Sequence, residues 1–269
     1  MRHENVPVLD ARYWLALLLA SVVGTTFGDF VSEDLGLTFA GALVPLATVF
    51  ALVLVAERRI SIATVAWYWV AVIIFRSTST NLGDTVSRTL GLGYGWVSLA
   101  LGLLLAAYVF AMTRSSSSVA FANAAGAERK ALTVNARYWV ALLIASVFGT
   151  TFGDFMSDDT GLGFGRASLL LVSILAVAVV VELRAKRPSD ARYWAIIAVV
   201  RTAGTTVGDW MTEGEPGMGF ALGAVVAAAL LIVVLVEPWV TTYPPETLTA
   251  LRAWKSGASG SEQESSRPG

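Results

Sequence analysis

Long apolar runs alternate with short polar segments along most of the chain. Four of the runs are about as long as the ~20 residues that a helix needs to cross a bilayer; they cover residues 38–56, 92–111, 166–181 and 218–236. A shorter apolar run precedes each of them and leads into a polar Gly/Thr motif, and these shorter runs occupy residues 13–24, 65–75, 138–148 and 193–200. The pattern predicts an all-α membrane protein with eight transmembrane helices.

The same motif recurs four times at constant internal spacing. An aromatic tetrapeptide opens each copy, and an Asp preceded by Gly follows fifteen residues after its Trp, at Asp29, Asp84, Asp154 and Asp209. The Trp-to-Trp offsets are 55, 70 and 55 residues, so the two halves of the chain are related by a shift of 125 residues. We therefore predict four parallel two-helix repeats, arranged as two pseudo-symmetric halves.

These offsets also predict the domain boundaries. Residues 1–112 form the first half, with repeats one and two, and residues 134–240 form the second half, with repeats three and four. Residues 113–133 between them are rich in Ser and Ala and are predicted to be a cytoplasmic linker. Residues 241–269 form a cytoplasmic tail whose Ser/Gly/Glu-rich end is predicted to be disordered.

Basic residues predict the orientation of the chain in the membrane. Fifteen Lys and Arg residues lie at the chain ends and in the loops on the N-terminal side of the repeats, whereas the opposite loops hold only Arg88 and Arg166. The positive-inside rule then places both termini in the cytoplasm. The recurring Tyr-Trp pairs fall at the inner surface, where an aromatic belt facing the lipid headgroups is expected.

Composition narrows the class of protein further. The chain has 269 residues, of which 55% are apolar and 14% charged, and its mean hydropathy is +0.66. A soluble domain carries roughly 25% charged residues, so the lipid bilayer is the expected partner. A net charge of −1 argues against a nucleic-acid partner.

Several chemistries are excluded by missing residue types. The chain has no Cys and a single His, His3, near its N-terminus, which removes thiol nucleophiles, thiolate metal centres and His-based catalysis. It has no nucleotide-binding P-loop motif, and no asymmetric pair of acids suited to aspartyl chemistry stands out. We therefore expect neither an enzyme nor a bound cofactor, while a site for a metal ion stays open.

A polar stripe follows the outer part of each first helix. In repeat one, Ser21, Thr25, Gly28 and Ser32 are spaced to share one helix face. Repeats two and four carry an arginine in place of Ser21, at about mid-depth in the membrane, and such a stripe cannot face lipid. The candidate polar site therefore consists of Asp29, Asp84, Asp154, Asp209, Thr25, Thr80, Thr150, Thr205, Arg76 and Arg201.

The stripe has two interpretations. Small residues and hydroxyls allow helices to pack closely, or else the four stripes converge on one axis and line a binding site or pathway. The Thr or Asn three residues before each Asp resembles a capping box. Each first helix therefore either breaks there and restarts as a short outer turn, or is an ordinary helix that ends at the membrane interface with its Asp in water. The residues concerned are Thr26, Asn81, Thr151 and Thr206.

The expected function is transport of a small solute or ion. Carboxylates and hydroxyls at an acidic outer mouth favour a cation, while Arg76 and Arg201 favour an anion or an organic solute. The alternative is a membrane scaffold, assembly factor or lipid-interacting protein that transports nothing. The sequence leaves the solute and the oligomeric state open.

The fourfold Trp…GTTxGD pattern resembles a bacterial family of integral membrane proteins built from four tandem two-helix repeats, each with a characteristic Trp. The resemblance covers residues from about 8 to 240, and repeat two departs most, with Ser79-Thr80-Asn81-Leu82 in place of Gly-Thr-Thr-Phe. It implies a multi-pass protein of the bacterial cytoplasmic membrane. The function of that family is unknown, so the resemblance adds no chemistry.

Overall fold

The computed structural model describes residues 7, 9–59, 65–114, 119–124, 127–132 and 134–241. Within these ranges the chain forms eight α-helices, two for each repeat, and a two-stranded antiparallel hairpin lies in the segment predicted as the linker. The elements are α1 Ala11–Asp29, α2 Phe39–Arg59, α3 Ala66–Asp84, α4 Tyr94–Thr113, β1 Val119–Ala124, β2 Ala127–Leu132, α5 Ala136–Asp154, α6 Gly163–Arg184, α7 Asp190–Glu213 and α8 Phe220–Thr241. The predicted tail from residue 242 onward lies outside the described residues.

Side-chain caps determine where three of the first helices begin. Asp10 accepts a hydrogen bond from the main-chain N–H of Tyr13 at 2.9 Å, and Asn135 does the same for Tyr138 at 3.0 Å. Ser189 caps the start of α7 in the same way. Each cap pairs one of the main-chain N–H groups that have no partner within the helix.

The first helices of the four repeats form a central bundle. Helices α1, α3, α5 and α7 contact one another in a closed ring, and each second helix packs on the first helix of the following repeat. Thus α2 packs on α3, α4 on α5, α6 on α7, and α8 returns to α1. Every repeat is therefore held by its neighbours, and the ring closes because the last repeat covers the first.

The two sets of helices face different surroundings. The inner helices are largely buried, whereas α2, α4, α6 and α8 expose large apolar side chains such as Leu52, Leu103, Leu169 and Val225. A soluble protein does not expose apolar surface on this scale. Five described helical segments are long and apolar enough to cross a membrane: Ala11–Asp34, Phe39–Arg59, Tyr94–Thr113, Ala136–Asp159 and Gly163–Arg184. Together these features indicate a membrane protein.

Of the alternatives left open at the Gly/Thr motif, the structure does not contain the helix break. Helices α1, α3 and α5 run without interruption to their Asp and then widen into a five-residue π-turn, while α7 continues to Glu213. The threonines do not cap a new helix, because their hydroxyls donate back to carbonyls of the preceding turn, as Thr26 does to Val22 at 3.0 Å. The main chain therefore stays hydrogen-bonded through the motif.

Candidate functional site

The central bundle of α1, α3, α5 and α7 places equivalent residues of the four repeats in layers along one axis. The end of the axis that carries the Asp is called the outer end here and the end that carries the Tyr the inner end. From the outer to the inner end these layers contain the four Asp, then four Thr, then an Arg/Ser layer, then four apolar side chains, and finally four Tyr. The eight predicted Asp and Thr residues line one cavity. The two predicted arginines lie beneath it, so the stripes do converge on a common axis.

The cavity forms an acidic vestibule at the outer end of the bundle. Its enclosed space is about 20 Å³, which is room for about one water molecule or an ion of similar size. The four Asp are nearly enclosed, with relative exposures between 4% and 8%, and Asp209 Oδ2 has no hydrogen-bond partner among the described residues. The vestibule is lined at these two layers by Thr25, Asp29, Thr80, Asp84, Thr150, Asp154, Thr205 and Asp209.

Further charged side chains surround the mouth of the vestibule. Glu33, Asp158 and Glu213 add three acids, and Arg88 is the only base among the described lining residues. The Arg88 guanidinium lies 3.6 Å from the Asp84 carboxylate, and it donates to the hydroxyl of Tyr94. Seven acids and one base therefore share the lining, and the field of such a cleft concentrates cations.

The four carboxylates attract cations without forming a coordination site for a metal ion. Within the part of the chain that the structure describes, no group of three or more acids is close enough to hold a metal ion. The carboxylates therefore act on a cation through their combined field and do not surround it as a set of ligands. Threonine hydroxyls beneath them supply neutral oxygen acceptors.

Arg76 closes the bundle directly beneath the threonine layer. Its guanidinium is fully buried and makes six hydrogen bonds of 2.5–3.4 Å to all three other inner helices. The acceptors are the hydroxyls of Ser21, Thr25, Thr150 and Thr205 and the main-chain oxygens of Ser146 and Arg201. One arginine thus ties the four repeats together at the floor of the vestibule.

Arg201 occupies the equivalent position in repeat four but has different surroundings. It is also fully buried, yet Nε, Nη1 and Nη2 have no hydrogen-bond partner among the described residues. The two arginines therefore do not form one symmetric pair.

A closed ring of tyrosine hydroxyls lies at the inner end of the bundle. Tyr13 is hydrogen-bonded to Tyr68 at 3.1 Å and to Tyr193 at 2.8 Å, and Tyr138 completes the ring with Tyr68 at 2.9 Å and Tyr193 at 3.0 Å. All four side chains are buried. The predicted aromatic belt is therefore wrong for these residues, since the tyrosines face the axis and not the lipid. Their recurrence in all four repeats was the signal that could have identified this layer.

Glycines of the motif allow the inner helices to approach closely. A Cβ atom at Gly24 would lie 2.4 Å from Arg76 Cγ, and one at Gly149 would lie 2.3 Å from Arg201 Cβ. A Cβ atom at Gly153 would lie 2.8 Å from Thr205 Cβ, whereas one at Gly208 would make only ordinary contact with Thr25, at 3.4 Å. The spacing of three residues between paired glycines matches the small-residue pattern of tightly packed membrane helices, so close packing and a polar axis exist together.

Comparison with known proteins identifies the repeat unit but no activity. The profile described as Repeat of Unknown Function (DUF347) matches residues 12–62, 67–118, 137–188 and 192–242. No curated protein and no solved structure matches the chain. The four matches coincide with the four two-helix units of the fold and cover most of the sequence, so the chain belongs to the family of the DUF347 repeat.

Proposed function

We propose that this chain is a transporter of a small cation or cationic solute, with the acidic vestibule as its outer binding site. The observation that carries the proposal is the convergence of four Asp, one from each repeat, on a single cavity at one end of the bundle axis. Burying four ionised acids together is costly unless a cation shares their field or protons neutralise them. The unpartnered oxygen of Asp209 supports the same conclusion.

The proposal includes the arrangement in the membrane. All eight helices cross a bacterial cytoplasmic membrane, both termini lie in the cytoplasm, and the vestibule opens to the outside. The excess of Lys and Arg on the side opposite the vestibule supports this orientation. The axis is closed below the vestibule by Arg76 and by the tyrosine ring, so a transport cycle requires both layers to rearrange.

The arrangement can be tested by labelling, because the chain has no Cys of its own. Asp34→Cys places a thiol at the outer end of the first repeat, and Arg187→Cys places one between α6 and α7. In intact cells a membrane-impermeant maleimide should label only the first variant. Labelling of Arg187→Cys alone would reverse the proposed orientation.

Transport can be tested in proteoliposomes with rubidium-86 and carbon-14 methylammonium as probes. We expect uptake by the wild type and its loss in the double variant Asp29→Asn/Asp154→Asn. The matched control is Asp34→Asn/Asp159→Asn, since these exposed acids lie at the same end of the molecule but do not line the vestibule. The control should keep wild-type uptake, and every variant must first show equal helicity and elution as a single species.

A scaffold without transport activity is the second candidate. It is favoured by the close contacts at Gly24 and Gly149, which suit permanent packing. In that case neither probe is taken up by the wild type, and Asp29→Asn/Asp154→Asn changes stability without changing any flux. This result would overturn the transport proposal.

A further inference from the structure

Arg201 is a buried cation that lacks a hydrogen-bond partner among the described residues. Its side chain is fully enclosed, and none of its three guanidinium nitrogens has a hydrogen-bond partner in the described part of the chain. The hydroxyl of Ser146, at the equivalent position on the adjacent helix α5, is likewise buried and unpartnered. Two polar groups of one layer, on helices that pack against each other, therefore lack hydrogen-bond partners among the described residues.

The layers inward of Arg201 offer no replacement partner. Next along the axis are Leu17, Val72, Leu142 and Ile197, all fully buried. Below them, the four tyrosine hydroxyls are engaged with one another in the closed ring. A guanidinium group cannot release its proton in a protein, so it stays charged in these apolar surroundings, and an isolated buried charge is strongly unfavourable.

The carboxylates of the vestibule do not compensate this charge directly. Asp209 follows Arg201 by eight residues on the same helix, a rise of ~12 Å. The intervening threonine layer donates to main-chain carbonyls and accepts hydrogen bonds from Arg76. Arg76 itself adds a second positive charge to the Arg201 layer, because it donates to the Arg201 main-chain oxygen. The layer therefore carries two cations.

We propose that a small monovalent anion, such as chloride, binds inside the bundle at the Arg201 guanidinium and the Ser146 hydroxyl. Water could satisfy the N–H groups but would leave the charge uncompensated, whereas an anion does both. The site is distinct from the acidic vestibule and does not depend on transport through it.

The packing of the helices limits the size of the anion. A methyl group added at Gly149 would lie 2.3 Å from Arg201 Cβ, and one added at Gly204 would lie 2.3 Å from the Ser21 hydroxyl. These glycines bring α5, α7 and α1 close together in this layer, so a small anion suits the packing better than a phosphate or an organic acid. We therefore assign the site to a halide or to an anion of similar size.

The anion content of the purified protein tests the assignment. The chain is expressed and purified in chloride buffer, then exchanged into gluconate, denatured, and analysed by ion chromatography for retained chloride. Equilibrium binding of chlorine-36 to the detergent-solubilised protein covers the case of rapid exchange. We expect about one saturable chloride per chain in at least one of these measurements, and a loss of about tenfold or more in Arg201→Gln.

Two variants make the result specific. Arg88→Gln removes an exposed arginine from the vestibule mouth and should leave chloride binding unchanged. Ser146→Ala removes the second donor and should weaken binding without abolishing it. Equal chloride in the wild type and Arg201→Gln, or none in the wild type by either method, would overturn the assignment. Because neither method measures uptake, this failure can be distinguished from failure of the transport proposal.

Discussion

Arg76 donates a hydrogen bond from Nη2 to the main-chain oxygen of Arg201, with a separation of 3.4 Å. The two residues are related by the 125-residue shift between the halves, yet one guanidinium has six hydrogen bonds and the other has none among the described residues. A shared axis cannot hold two identical arginine side chains at the same point. The internal symmetry of the two halves therefore does not extend to the surroundings of these two arginines.

This asymmetry predicts different effects on stability. Arg76→Gln should lower the free energy of unfolding by about 3–5 kcal/mol, because it removes charged hydrogen bonds that connect all four repeats. In a buffer of large anions, Arg201→Gln should leave the free energy of unfolding unchanged or raise it, since it removes an isolated buried charge that is itself unfavourable. Chemical unfolding in detergent, followed by circular dichroism, measures both. Equal losses would show that Arg201 also has a structural role.

The glycines of the motif predict a graded series of alanine substitutions. An added Cβ would lie 2.3 Å from its nearest neighbour at Gly149, 2.8 Å at Gly153 and 3.4 Å at Gly208. Gly149→Ala should therefore destabilise the protein most, by about 1–3 kcal/mol, Gly153→Ala less, and Gly208→Ala little. Thermal unfolding of the three variants gives the order. Gly208→Ala is the matched control, and a loss there equal to that of Gly149→Ala would contradict the packing argument.

The tyrosine ring predicts that adjacent and opposite substitutions differ. Tyr13→Phe removes two of the four ring bonds, at about 1 kcal/mol for each. Tyr13→Phe/Tyr68→Phe removes three bonds because the two residues share one. Tyr13→Phe/Tyr138→Phe removes all four, since these residues lie opposite each other.

Double-mutant cycles measure this difference directly. The opposite pair should be additive, and the adjacent pair should be less destabilising than the sum of its single variants by about one hydrogen bond. An identical cost for both pairs would show that the hydroxyls act independently and not as a ring.

The repeat spacing predicted most of the architecture but not the layers inside it. Eight helices in four pairs follow from the recurrence of an apolar run, a motif and a second apolar run. The sequence also grouped Asp29 with its three equivalents, and the structure places them in one cavity. These predictions depend on where a residue lies along one helix and on which face of it, and the spacing of apolar and polar residues indicates both.

The remaining features depend on contacts between helices. The sequence predicts Tyr13 at a lipid interface, because aromatic belts are common in membrane proteins. In the structure its hydroxyl lies at the axis and is hydrogen-bonded to tyrosines of two other repeats. Thr26 has the sequence of a helix cap, yet its hydroxyl bonds within a continuous helix. In both cases the surroundings of the side chain are determined by how the helices pack, which the sequence pattern of a single helix does not show.

The charge of Arg88 should lower the affinity of the vestibule for cations. It is the only base among the described lining residues and lies 3.6 Å from Asp84, so Arg88→Gln should make the cavity more negative and raise its affinity for cations. Uptake of methylammonium at low external concentration should rise several-fold at an ionic strength of about 0.01 M, where the Debye length is about 30 Å, and the gain should vanish near 1 M. Arg166→Gln is the control, because this exposed arginine does not line the cavity. A gain that persists at high salt would mean that Arg88 obstructs the mouth sterically and does not act through its charge.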